Sequence, residues 1–153
     1  MRYSIVLISL AGIIASCADL GSGDLQIVDG QWFQQERIEI FLYKYVWTFN
    51  PNRTFTIVRS VHDPFTNTLL GYRFKSEGIY NVVSSILIMT TKREASNDDT
   101  RGPYSVELVP MPVNRKAVQN EFRIESNTLT IFYGPCPPNA NCIDRTTLQR
   151  FSR

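Results

Sequence analysis

The amino-acid sequence predicts an all-β domain, a sandwich or a barrel, and three observations carry that prediction. Residues 30 to 153 are short apolar or alternating runs separated by turn residues, with no internal repeat, low-complexity tract or second linker. Two of the runs alternate cleanly: Leu70, Tyr72 and Phe74 against Arg73, Lys75 and Glu77, and Phe122 and Ile124 against Glu121, Arg123 and Glu125. Such runs bury one face and wet the other, because successive side chains of a strand point to opposite sides. Third, the 153 residues are 43% hydrophobic and 12% aromatic, which suits one globular domain with its own core.

The first element is the run Ile38 to Phe49. Phe41, Tyr43, Tyr45, Trp47 and Phe49 form an aromatic stripe, while Ile38, Ile40, Leu42 and Val46 are aliphatic. Its length would suit a helix, but its β-branched and aromatic content favours a long bent strand, or two strands with a break near Lys44. Asn50-Pro51-Asn52-Arg53 then reverses the chain, Pro being suited to the second position of a turn, and a strand follows over roughly Thr54 to Val61. His62-Asp63-Pro64 to Asn67 reads as a loop, and the alternating run from Leu70 as the next strand. Ser96 to Pro103 is a longer polar loop, Pro110 to Asn114 interrupts the strand after it, and Ser126-Asn127 is a tight turn. The runs total about eight or nine strands.

Ahead of this domain, Arg2 precedes the apolar run Ile5 to Ile14, which ends in Ala15, Ser16 and Cys17. A charged start, an apolar stretch and small residues are the parts of a signal peptide, and the run is well short of the ~20 residues a membrane span needs. Ile14-Ala15-Ser16-Cys17 further resembles the bacterial lipobox. The resemblance implies a signal peptide over 1–16, cleavage before Cys17, fatty acylation of Cys17, and a lipid-anchored tether over 17–29. The alternative is a plain secretory signal with a chance cysteine. Ala18 after the cysteine implies, by resemblance to known sorting behaviour, the outer membrane of a bacterial envelope.

The remaining cysteines, Cys136 and Cys142, are close in sequence and would pair as a structural disulfide in an oxidising compartment. A metal or redox site is the alternative, but the spacing does not match a redox dithiol and the only histidine, His62, is remote. No metal site and no cofactor are expected. With 16 Lys and Arg against 14 Asp and Glu and no basic run, no nucleic-acid partner is expected either. His62-Asp63 is the only pair resembling a base and its orienting carboxylate, and no nucleophile can be assigned beside it. No catalytic residue is assigned, and an enzyme is not expected.

Five stretches carry a family resemblance. They are Gly30-Gln31-Trp32, Trp47 to Thr56 (WTFNPNRTFT), Glu77 to Val82 (EGIYNV), Ile124 to Ile131 (IESNTLTI), and the closing Leu148-Gln149-Arg150-Phe151. Their order and spacing are similar to those of bacterial lipocalin-like domains, with a Gly-x-Trp opening, a Thr-Phe-Asn hairpin, a "G.Y.V" strand and an "N.L.I" hairpin. The resemblance covers residues 30–153 and implies an antiparallel up-and-down barrel or flattened barrel. Arg53 stands where the family often has Gly, which implies that Asn52 or an altered turn takes the left-handed conformation.

Barrels of this size are filled by their own side chains or hold one small apolar ligand. For a small hydrophobic ligand the candidate lining residues are Trp32, Phe41, Tyr43, Tyr45, Trp47, Phe55, Tyr72, Phe74 and Tyr80. If the barrel is solid, the expectation is instead an envelope protein partner met by the loops around Ser96 to Pro103, Pro110 to Lys116 and Cys136 to Cys142.

Overall fold

The computed structural model describes residues 28–97, 102–134 and 143–151. Its strands are β1 (Gly30–Ile38), β2 (Phe41–Phe49), β3 (Thr54–His62), β4 (Leu69–Val83), β5 (Ile86–Ser96), β6 (Val109–Met111), β7 (Val118–Glu125), β8 (Thr128–Phe132) and β9 (Arg145–Arg150). Every pairing is antiparallel. Successive strands lie side by side, β5 passes to β7, and β9 returns to β1, closing an eight-stranded up-and-down barrel with β6 as an added strand. Closure removes the free edges an open sheet of this length would expose. The edge of β5 is shared: β7 pairs with Ile86 to Met89, and β6 with Glu94 to Ser96.

The run Ile38 to Phe49 breaks at a different place from the one expected. β2 is continuous through Lys44, and the reversal comes earlier, at Glu39 and Ile40, with Glu39 at φ 52°. Pairing explains it: with the turn there, β1 and β2 match along their whole length from Ile38↔Phe41 to Gly30↔Phe49. The next turn also differs from expectation. Arg53 itself takes the left-handed conformation, at φ 62°. Asn52 instead serves through its side chain, whose Oδ1 accepts from the Thr54 amide at 3.2 Å and from the Thr54 hydroxyl at 2.7 Å.

Three turns gather at one end of the barrel, around Asn50–Arg53, Ser84–Ser85 and Ser126–Asn127. The described chain enters there at Val28 and leaves at Phe151. This end is solid. Trp32, Phe49, Phe55, Leu87, Leu129, Ile131 and Leu148 are all buried and make one cluster with Tyr80 and Met89. Each such side chain taken from water contributes about 1.5–3 kcal/mol, so this cluster is the main source of stability. Val28 is fully buried in it, so the last part of the stretch read as tether packs with the barrel.

Gly78 makes the cluster fit. A Cβ at this position would lie 2.2 Å from the Thr90 carbonyl oxygen and 2.7 Å from the Phe55 ring. Only a bare backbone lets Phe55 lie against β4 there. Register shifts mark β4 on both sides, against β3 at Arg59/Ser60 and Val61/His62 and against β5 at Glu77/Gly78.

Candidate functional site

The half of the barrel away from the solid end is hollow. A cavity of about 710 Å³, open to solvent on one side, is lined by Gln34 and Glu36 of β1, Tyr45 and Trp47 of β2, and Ile57 and Arg59 of β3. Arg73 and Phe74 of β4, Ser96 of β5, Tyr133, and residues 143–147 at the start of β9 complete the wall. That volume falls within the range of small-molecule sites, about 300–1,000 Å³. The cross-strand register builds the wall: Gln34↔Tyr45, Tyr45↔Arg59, Trp47↔Ile57 and Arg59↔Phe74 are direct partners, so their side chains share the inner face. Trp47 and Ile57 also pack on the buried cluster and so form the floor.

Of the aromatic residues expected to line a cavity, Tyr45, Trp47 and Phe74 do so. Trp32, Phe55 and Tyr80 belong to the solid end. Phe41 lies beyond the cavity wall, its ring edge-on to Tyr104 at 5.7 Å and to Tyr43 at 6.5 Å. Tyr72 is outside the barrel, in a separate hollow with Val58, Val106 and Leu108. The register shift between Arg59 and Ser60 accounts for Tyr72. Phe74 pairs with Arg59 and Tyr72 with Ser60, so Arg73 is an extra residue, and it lines the cavity beside Phe74. The outer segment is held there by paired hydrogen bonds between Tyr72 and Ser105, of 2.8 and 2.9 Å.

Sequence reasoning missed Gln34, Glu36, Arg59, Arg73, Ser96 and Tyr133. One signal for Arg59 is present in β3: it shares parity with Phe55, Ile57 and Val61 and is the charged member of an otherwise apolar row. Arg73 gave no such signal, because the alternation of Tyr72 and Phe74 assigns it to the wet face until the register shift is known.

Arg59 is one of five charged residues of the wall, with Glu36, Arg73, Asp144 and Arg145. Its guanidinium carbon lies 4.6 Å from the Tyr43 ring centre and 4.8 Å from that of Tyr45, and its Nε is buried without an acceptor. Among the described residues it makes no ion pair. Burial holds the Tyr45 hydroxyl above the ordinary tyrosine pKa, against the opposing pull of the Arg59 charge. Burial does the same for Tyr133, whose hydroxyl donates to Thr146 Oγ1 at 2.8 Å. Both phenols are therefore neutral hydrogen-bonding groups at physiological pH.

His62 and Asp63 do not act as a pair. The His62 ring contacts the Ser60 hydroxyl through Nε2 at 3.0 Å and the Asn67 carbonyl through Nδ1 at 3.1 Å. Asp63 accepts from the amides of Phe65 and Thr66 at 2.9 and 2.7 Å, and these bonds, that of Thr66 foremost, hold its carboxyl below the usual range. Both side chains thus fasten the β3–β4 loop. No group of His, Cys, Asp and Glu among the described residues is arranged to hold a metal ion. Cys17, Cys136 and Cys142 lie outside the described residues. A second hollow, of about 470 Å³ between β4, β5 and β6, is lined by charged side chains, with Glu77 paired to Lys75 and Arg93, both at 2.7 Å.

The chain matches no protein-family model, no curated protein and no solved structure.

Proposed function

We propose that the protein is a binding module, a lipocalin-like barrel that takes up a small hydrophobic molecule in the cavity above Trp47 and Ile57. The observation that supports this most is the division of the barrel into a solid half and a hollow one. A barrel needed only as a scaffold has no use for about 710 Å³ of unfilled interior walled by Tyr45, Trp47 and Phe74. Binding rather than catalysis is the proposed role. The test is titration with an environment-sensitive fatty-acid probe. Binding should saturate, and Tyr45→Ala or Trp47→Ala should weaken it; no saturable binding by any member of a lipid and small-molecule panel would sink the reading.

The sequence signals at the ends of the chain belong to the same proposal. Acylation of Cys17 after removal of residues 1–16 would anchor the domain to a membrane of the bacterial envelope, the outer one on the sorting resemblance. Mass spectrometry of the mature N-terminus tests it, and an unmodified Cys17 counts against it. A Cys136–Cys142 disulfide would constrain the β8–β9 connection, whose described parts, Tyr133 and Ile143, line the cavity. Two reactive thiols in the denatured, unreduced protein would exclude the bridge.

A second reading, contact with an envelope protein partner through the loops, is favoured by apolar side chains left in water. Phe65 is 85% exposed, Val106 80% and Ile40 70%, all in connections between strands. Crosslinking in intact envelopes should recover one specific protein if this holds.

A further inference from the structure

We propose that the molecule held in the cavity is amphipathic, with an anionic head group of the carboxylate or phosphate kind, and that Arg59 is the residue that receives the head group. The inference rests on the cavity being a ligand site and adds to it the chemistry of one end of the ligand.

Arg59 stands on the inner face of β3, directly opposite Tyr45 on one side and Phe74 on the other. A guanidinium on the inner wall of a barrel loses hydration, and proteins ordinarily compensate with a carboxylate. Among the described residues none is supplied within ion-pairing distance. Glu36 and Asp144 line the same cavity, yet neither comes within ion-pairing distance of Arg59, and Glu36 is exposed. The tyrosine rings stack against the guanidinium without neutralising it, and they hold the planar group in place. The floor below is apolar, made by Trp47 and Ile57, and Phe74 adds an apolar ring beside Arg59. Positive charge and apolar floor in one cavity match a molecule with a hydrocarbon body and an anionic end. Arg59 offers the fork of donors that a carboxylate or phosphate accepts bidentately.

The experiment is a titration of the full-length protein with a dansyl-labelled undecanoic acid and with the methyl ester of the same probe, followed by displacement with dodecanoate, dodecyl phosphate and dodecanol. The acid should bind about tenfold or more tightly than the ester, as one charge-assisted hydrogen-bonded contact allows. Arg59→Gln should remove that preference, lowering affinity for the acid far more than for the ester, and Arg59→Lys should restore part of it. In the unaltered protein the preference should fade below about pH 4, where the free carboxyl is protonated, a readout that does not depend on any variant folding. Stronger displacement by dodecanoate, or by dodecyl phosphate, identifies which anion the site prefers. Equal binding of acid and ester would overturn the inference while leaving the cavity a ligand site, as would a loss of both affinities alike in a folded Arg59→Gln. Failure of both probes to bind would overturn both readings.

Discussion

The indole nitrogen of Trp32 donates a 2.8 Å hydrogen bond to the backbone carbonyl of Val28, inside the solid end of the barrel. Both residues are fully buried, and the Arg150 guanidinium of β9 covers the indole ring at 4.5 Å. One side chain therefore joins the segment before β1 to the strand that closes the barrel. Trp32→Ala should cost about 3–5 kcal/mol, the usual loss for a large aromatic removed from a packed core. Shortening the chain to begin at Gly30 should cost less but still lower the midpoint of urea unfolding, because Val28 leaves a gap and the indole N–H loses its acceptor. Unchanged midpoints would show that the segment before β1 adds nothing to the fold.

Tyr80 links the same end to a second segment. Its hydroxyl donates to the Asp29 carboxylate at 2.5 Å and lies 2.9 Å from the Asn50 carbonyl. Tyr80→Phe should therefore destabilise the domain by about 1–3 kcal/mol at neutral pH, because Asp29 and Asn50 keep their acceptors and lose the donor. Burial, with the bond to and charge of Asp29 added, raises the Tyr80 pKa well above its ordinary value. The sign for stability follows. An unfolded tyrosine ionises near pH 10 while the folded one keeps its proton, so the contribution is complete below pH 10 and is lost as pH rises beyond it. Melting temperature should be flat to about pH 9 and fall above pH 10, with a shallower fall in Tyr80→Phe.

Gly78→Ala should prevent folding or leave a strongly destabilised domain, since the new methyl would meet a backbone oxygen at 2.2 Å. Backbone cannot give way as a flexible side chain can. Circular dichroism and soluble yield are sufficient readouts. A folded, stable Gly78→Ala protein would mean that β4 and β5 can separate locally without cost.

Much of this architecture is legible in the sequence, and the places where it is not have a common cause. The turns at Asn50–Arg53 and Ser126–Asn127 carry their own turn residues, and β7 shows its buried face by alternation alone. Alternation fails on β4, because a residue inserted opposite β3 changes parity and nothing local announces it. Tyr72 then leaves the interior and Arg73 enters it. The aromatic residues divide between floor, filling and outer surface for a similar reason. Composition shows that they are apolar, but which level of the barrel each occupies depends on register with strands far away in the chain. The cavity is the property least visible of all, since it is set by what the inner face lacks at one end.

Arg53→Gly should stabilise the domain modestly, by about 0.5–1 kcal/mol, because a non-glycine residue in the left-handed region carries a penalty of about 1–2 kcal/mol and glycine carries none. Part of the gain is offset by the greater freedom of glycine in the unfolded chain and by loss of the exposed Arg53 contact to Asn81 Oδ1 at 3.2 Å. Paired chemical-denaturation curves can resolve a difference of this size. A loss of stability would assign more weight to the Arg53 side chain than its exposure suggests.

The two tryptophans provide a direct optical test of the division between solid and hollow halves. Trp47 lines the cavity; Trp32, its cross-strand partner, does not, being wholly enclosed in the packed cluster. A fatty acid brominated along its chain, whose bromines quench only at contact, should on entering the cavity quench Trp47 and leave its enclosed cross-strand neighbour Trp32 largely unaffected. Trp32→Phe should keep most of the fluorescence response, with unchanged probe affinity, whereas Trp47→Phe should lose most of it. The contrast depends on position alone, since each replacement keeps an aromatic ring. If quenching survives in Trp47→Phe and disappears in Trp32→Phe, the ligand enters by the end where Val28 and Asp29 lie, and the hollow half is not the binding site.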